Sequence, residues 1–329
     1  MTRLLHGLLL AAFGLSAALA QADAGQVRLL MVGDIMLDDG PGQVIASGRD
    51  PFAPFASLLA DGDYTIGNLE CPVATTGKAL DSKIYTFRAH PRVLPVLKRH
   101  IDAVALANNH SGDYGKAAFA ETLALLKQQQ LPYFGGGANL REAHAPLWLE
   151  KSGLRVALLS YNEFKPRSFE AGASQPGIAW SEDAQVVADI RAARAAGADV
   201  VIPFMHWGWE RETQPSARQR QLARTLIDAG ADAVVGGHPH VTQGAETYRG
   251  KPIIYSLGNF VFDGFERPAE KRGWLLRLTL NKRGVHTWDT VAADMDAEGI
   301  PHPVAVATPC GKAGDATVSS CQRWPVPSH

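Results

Sequence analysis

The chain has 329 residues, 46% of them hydrophobic and 20% charged, with a formal net charge of −1. That composition builds a real apolar core, and the length suits one large domain or two ordinary ones. The near-zero charge argues against nucleic acid as a partner, a local basic patch aside, and neither a dinucleotide fingerprint nor a P-loop is present.

In chain order, residues 1–24 come first. Arg3, an apolar stretch from Leu8 to Leu19 and small residues around Ala20 and Ala24 predict a secretory signal peptide cut after one of those alanines. The expected location is therefore periplasmic or secreted. No later apolar stretch is long enough to cross a bilayer.

Short apolar runs then alternate with amphipathic stretches. The runs are VRLLMVGD (27–34), DYTIGNLE (63–70), DAVALANNH (102–110), DVVIPFMHWG (199–208), DAVVGGHPH (232–240) and KPIIYSLGNF (251–260). Each has the length of a buried strand. Helices are predicted over 91–100, 115–130, 181–197 with Ser181 as N-cap, and 215–230, the last two stopping at Gly197 and Gly230. Hairpins are predicted over 147–160 and 274–291, turning at KSG and NKRG. Strands alternating with helices imply α/β architecture, and the hairpins make the sheets mixed. Residues 25–295 form the expected domain, and the Pro-, Ala-, Gly- and Ser-rich stretch 296–329 reads as an irregular tail. In an oxidising compartment Cys310 and Cys321 can pair across that tail. Cys71 is then left as a small buried apolar residue rather than a catalytic thiol.

The apolar runs share a way of ending: Asp34; Asn68 and Glu70; Asn108, Asn109 and His110; His206; His238 and His240; Asn259. In an α/β sheet the carboxyl ends of strands line the ligand crevice. Turns and caps account for Asp and Asn there, but not for four imidazoles. Carboxylate, carboxamide and imidazole together are a donor set for one or two divalent ions of the Mn, Fe or Zn kind. A carboxylate can bridge two such ions, and a spare histidine can protonate a leaving oxygen. Gly236 and Gly237 are expected to supply positive φ or close approach, and His238 and His240 to share one face of an extended segment.

These motifs, GDIML, GNLE, ANNHSGDYG, HWGWE, GGHPHVTQG and YSLGNFVFD, resemble the CapA-type capsule synthesis (PGA_cap) family of the calcineurin-like metallophosphoesterase superfamily, over about residues 27–265. The resemblance implies a four-layer α/β/β/α sandwich with a metal site. It places Asp34, Glu70 and His240 at a first ion and Asn109, His206 and His238 at a second, with Glu70 bridging and His110 as general acid. The superfamily's Asp-x-His is here Asp34-Ile35-Met36, and thioether is a poor ligand for a hard ion. The first ion therefore has three obvious ligands against four for the second. Around this set, Glu210 is expected to orient His206 and Asp113 to orient His110. Asn68 and Asn259 are further partners, and Arg88 is a candidate to hold an anionic substrate. Trp207 and Trp209 either wall the pocket or fill the core. The glycines at 135–137 read as a plain turn in preference to a phosphate cradle.

Two functions follow. One is a secreted, metal-dependent phosphoric ester hydrolase acting on a cell-envelope substrate. The other is a non-catalytic or weakly catalytic factor in making or exporting an anionic polymer such as poly-γ-glutamate, docked to a membrane biosynthetic complex. An anionic small molecule or polymer is the expected partner in both.

Overall fold

The computed structural model describes residues 25–321. The predicted signal peptide lies outside them. Two large mixed sheets carry the fold. The first runs, in spatial order, through Ser319–Cys321, Thr308–Lys312, Gly284–Met295, Arg272–Asn281, Val27–Ile35, Tyr64–Leu69, Ala103–Ala105 and Tyr133–Phe134. Asn259–Val261 pairs alongside Val27–Ile35, and Pro301–Val304 alongside Gly284–Met295. The second runs through Ala245–Tyr248, Lys251–Ile254, Val234–Gly237, Val200–His206, Leu154–Asn162 and Leu147–Lys151.

The central strands are apolar on both faces because both faces are covered. Leu29 and Met31 belong to a core they share with Val200, Ile202 and Phe204 of the other sheet. Leu30 and Val32, one residue out of phase, pack with Phe119, Leu123 and Leu126 of the Gly115–Gln128 helix. On the far side of the second sheet, Val201 and Met205 meet Val186 and Ile190 of the Asp183–Ala195 helix and Leu222 and Leu226 of the Ala217–Ala229 helix. Period-two alternation in the strands thus feeds three separate cores.

Local chemistry sets the boundaries. The Ala217–Ala229 helix opens on a reciprocal capping box between Ser216 and Gln219 and stops at Gly230, whose φ is +120°. Ser152 and Gly153, both at positive φ, make the two-residue turn of the Leu147–Lys151/Leu154–Asn162 hairpin.

Four expectations change. The Asp183–Ala195 helix is preceded by Glu182, and the Ser181 hydroxyl is buried without a hydrogen-bond partner, so Ser181 does not cap it. The stretch 91–100 is a 3-10 turn, Pro91–Val93, running into a five-residue helix, Leu94–Lys98. The run 251–260 is two strands in different sheets, because the chain crosses between Ile254 and Asn259. The stretch 296–321 is not irregular: Pro301–Val304, Thr308–Lys312 and Ser319–Cys321 extend the first sheet, and a Cys310–Cys321 disulfide joins its last two strands. Alternate prolines and small residues hide strand periodicity there, and the sheet supplies the pairing. Cys71 is free and buried. No described helix is long and apolar enough to cross a membrane.

Candidate metal centre

The carboxyl ends of the parallel strands in both sheets meet on one rim. Asp34 stands in register with Asn68 on one side and with Asn259 on the other. Crossing from the second sheet to the first after Ile254 is what delivers Asn259 to this row. From the second sheet come His206, ending its strand, and His238 and His240 just after Gly237.

The two sheets meet closely here at Gly237, while Gly236 lets neighbouring chain of its own sheet approach. A Cβ on Gly237 would lie 2.8 Å from Asp34 Oδ1, and one on Gly236 would lie 2.1 Å from the Tyr255 carbonyl oxygen. Neither glycine has positive φ. The left-handed residues are the histidines themselves, His238 at +94° and His240 at +56°. They therefore sit on a tight turn, not on one face of an extended segment. Non-glycine residues held at positive φ carry strain that the surroundings must offset, and such strain concentrates at functional sites.

Asp34 is fully buried and accepts from Asn68 Nδ2 at 2.8 Å and from the His238 backbone N–H at 3.2 Å. Asn68 Nδ2 is also 3.3 Å from His206 Nδ1. His206 Nε2 lies 2.7 Å from Asn109 Oδ1 and 3.5 Å from Glu70 Oε1. His240 Nδ1 is 2.8 Å from Asn259 Oδ1, and its Nε2 is 3.8 Å from Glu70 Oε1. An Nδ1–H donated to Asn259 leaves Nε2 with its lone pair, a common way to orient a ligand imidazole.

Two acid–imidazole triads emerge, Asp34–Glu70–His240 and Glu70–His206–His238, each with its donor atoms within 4.8 Å of one another. Glu70 belongs to both. Both Glu70 carboxylate oxygens and both His238 ring nitrogens are buried without a hydrogen-bond partner. Buried polar groups are nearly always satisfied, so four orphaned atoms at one point call for an external partner. Burial pushes the Glu70 carboxyl well above its ordinary pKa, and neighbouring Asp34 adds to this. Burial also raises Asp34, against the pull of His240. It drives His206 and His238 well below the ordinary imidazole range, and the other histidines push the same way. Neutral imidazoles beside crowded carboxylates are the protonation states that a divalent cation selects.

His110 stands at the edge. Its Nδ1 is 2.7 Å from Asp113 Oδ2, as expected, and Lys83 Nζ reaches Asp113 Oδ1 at 2.5 Å and the Asn109 carbonyl at 2.9 Å. Lys83 lies in an irregular stretch, where no periodicity or spacing marks it. Burial lowers the His110 pKa, and Asp113 opposes the shift. Asn108 is a scaffold: its amide donates to Asn68 Oδ1 and the Leu69 carbonyl, while its Oδ1 accepts from the His110 and Ser111 backbone N–H groups.

Three expectations are corrected. Glu210 is grouped with His238 and His240 in a third triad, not with His206. Arg88 turns away, donating to the Thr76 and Gly77 carbonyls with its guanidinium 4.3 Å from the Tyr114 ring centroid, so it holds a loop rather than a substrate. The glycines at 135–137 are not the plain turn expected: Gly136–Gly137 is a short strand paired with Gly177–Ile178, and all three glycines pack tightly against Ser160, Phe119 and Glu142. Of the tryptophans, Trp207 is core and donates to the Tyr255 carbonyl, while Trp209 is exposed against Phe164. Met36 is packed in the core, its sulfur accepting from the Asp38 N–H.

The chain belongs to the bacterial capsule synthesis protein PGA_cap family, whose model matches residues 28–264. It is 33% identical over 296 residues to the capsule biosynthesis protein CapA of Bacillus anthracis, covering 86% of this chain and 70% of that protein. It is 34% identical over 280 residues to the PGA biosynthesis protein CapA of Bacillus subtilis (strain 168), covering 83% and 72%. Among solved structures, an NAD nucleotidase of Haemophilus influenzae aligns loosely, with 12% identity, a TM-score of 0.46, and 85% of this chain and 54% of that chain covered.

Proposed function

We propose that this protein is a metal-dependent phosphoric ester hydrolase that acts outside the cytoplasm on a cell-envelope substrate. The orphaned donors of Glu70 and His238, at the junction of two triads, carry this reading. Asp34, Glu70 and His240 would hold one ion, and Glu70, Asn109, His206 and His238 another, with Glu70 shared. The N/O donor set suits Mn, Fe or Zn. Bound there, such ions supply Lewis-acid charge for activating water and neutralising a phosphoryl group. The chain's own residues do the rest. Asp113 fixes the His110 ring through Nδ1, which leaves Nε2 to carry a proton to a leaving oxygen. Asn259 holds His240, and Asn68 spaces Asp34 from His206. The three successive cores support a four-layer α/β/β/α sandwich.

Elemental mass spectrometry of the full-length protein, beside hydrolysis of bis-p-nitrophenyl phosphate, tests the reading. About two ions per chain are expected, with both ions and turnover lost in Glu70→Gln. His110→Ala is expected to keep its metal and lose turnover by about 100-fold or more. No metal after loading with Mn, Fe or Zn, or full turnover in Glu70→Gln, overturns it.

A second reading rests on the relatives, both named for biosynthesis of capsule or PGA. In it, the same ions hold the carboxylates of an anionic polymer such as poly-γ-glutamate while the protein serves a membrane biosynthetic complex. Metal-dependent binding of γ-glutamyl oligomers without turnover of any ester would favour it.

A further inference from the structure

Beside the metal centre lies a cavity of about 300 Å³ whose lining includes both His110 and His240. Its wall is a chain of aromatic rings between those two histidines. Phe87 is 4.7 Å from the His110 ring and 5.5 Å from Phe262. Phe262 is 5.0 Å from Phe265, and His240 lies 5.3 Å from Phe262 and 5.2 Å from Phe265. Tyr85, 70% exposed, stands at the mouth.

The charges on the lining are one-sided. Four carboxylates face it, Asp39, Glu210, Asp263 and Glu270, against the single guanidinium of Arg211. That guanidinium is engaged, with Nε donating to buried Glu270 at 3.0 Å. Asp263 accepts from the Gly40 backbone N–H, and Asp39 is held at a φ of +41°. Burial raises the pKa of both Asp39 and Asp263, and in each case an adjacent carboxylate adds to it. Glu210 also lies within 4.8 Å of the His238 donor atom, the ring whose nitrogens are buried and unpartnered. The cavity therefore opens on the reacting end of the site and is not a separate surface dimple.

Aromatic faces ringed by carboxylates that outnumber the cations form the environment that recognises an organic ammonium. Inside the cavity a polycarboxylate would meet like charge from Asp39, Glu210 and Asp263. We propose that this cavity binds a substituted ammonium group, the cationic arm of a zwitterionic substrate whose anionic ester lies at the metal centre. The proposal rests on the hydrolase reading for the second half of that statement, and on the cavity alone for the first.

The test is binding, read without turnover. Full-length protein loaded with Mn²⁺ is titrated calorimetrically with choline, with its neutral isostere 3,3-dimethyl-1-butanol, and with tri-γ-glutamate. Choline is expected to bind about tenfold more tightly than the isostere, with an affinity that falls as salt rises. In Asp39→Asn/Asp263→Asn, choline affinity is expected to drop by a similar factor while metal content stays at the wild-type level. The isostere comparison needs no variant, so a misfolded double mutant does not blunt the test. Equal binding of choline and isostere would reduce the cavity to an apolar slot and overturn the proposal. So would tri-γ-glutamate that binds more tightly than choline and displaces it. Choline binding with no ester turned over would sink the hydrolase reading and leave the ammonium site standing. Turnover of bis-p-nitrophenyl phosphate without choline selectivity would do the reverse.

Discussion

At the scale of single residues, the centre depends on what is missing as much as on its donors. Gly237 has no side chain where a Cβ would stand 2.8 Å from Asp34 Oδ1. Gly237→Ala is therefore expected to push Asp34 out of place and lower metal affinity by about tenfold or more, since misplaced or weakened support at a metal site costs that much. Equilibrium dialysis against a metal buffer reads this directly. Unchanged affinity would mean that Asp34 is not a ligand. Cys71 gives a different kind of check. Burial pushes its thiol far above the ordinary range, and the nearby Asp38 and Glu70 charges add to the shift. The thiolate is the reactive form. Native protein is expected to show no thiol titratable with Ellman's reagent, and one per chain after unfolding without reductant, since Cys310 and Cys321 are joined. A fast-reacting native thiol would contradict the packing around Cys71.

At the scale of elements, the sequence made the strand ends legible and left their three-dimensional company partly hidden. Asp34, Glu70, Asn109, His206, His238 and His240 could be picked out because each follows an apolar run, and parallel strands put such ends on one rim. Glu210 could not be placed: it lies on a turn after its strand, and the direction of a turn is set by tertiary contacts rather than by spacing. Lys83, Phe87 and Phe265 come from segments with no regular period, and Phe262, although inside YSLGNFVFD, carries no donor atom that would mark it as part of a site. The strands after residue 295 were missed for a related reason, because edge strands borrow their stability from the sheet they join. The Thr75–Thr76 segment is likewise held from outside. Its two backbone N–H groups and two hydroxyls all donate to Glu121 on the Gly115–Gln128 helix. Desolvation of Glu121 opposes ionisation, but these four hydrogen bonds outweigh it and bring its pKa to about 2. A carboxyl whose folded pKa lies below its unfolded value contributes stability that is complete above about pH 4.5 and is lost as pH falls toward about 2. Glu121→Gln is expected to lower the melting temperature at pH 7 by an amount on the order of 1 °C, small because the group is partly exposed. That difference should vanish near pH 2. A difference that persists unchanged at pH 2 would mean that the helix, not the carboxylate charge, holds the segment.

At the scale of the whole molecule, the centre is a joint between two sheets. Asp34, Asn68, Glu70, Asn109 and Asn259 stand on or beside strands of the first, and His206, His238 and His240 on or just past strands of the second. Below them, the shared core of Leu29, Met31, Ile202 and Phe204 glues the sheets by non-directional burial. At the rim that glue is replaced by polar groups, four of whose atoms have no partner, so the metal-free protein keeps a destabilised edge where the sheets meet. An ion bound by donors from both sheets cross-links them and is absent from the unfolded chain. Ions at about a hundred times their dissociation constant are expected to stabilise the fold by about 2.7 kcal/mol per site. Chelation by EDTA should then lower the melting temperature by several degrees, with hydrogen exchange rising first at the ends of Val27–Ile35 and Val200–His206. Glu70→Gln separates the two halves of this argument. It replaces a carboxyl that burial and Asp34 already push toward its neutral form, so the metal-free variant should melt close to the metal-free parent while failing to gain from added metal. A variant that melts below the parent in EDTA would show that the Glu70 carboxylate is satisfied without metal, and the joint would then be held by protein contacts alone.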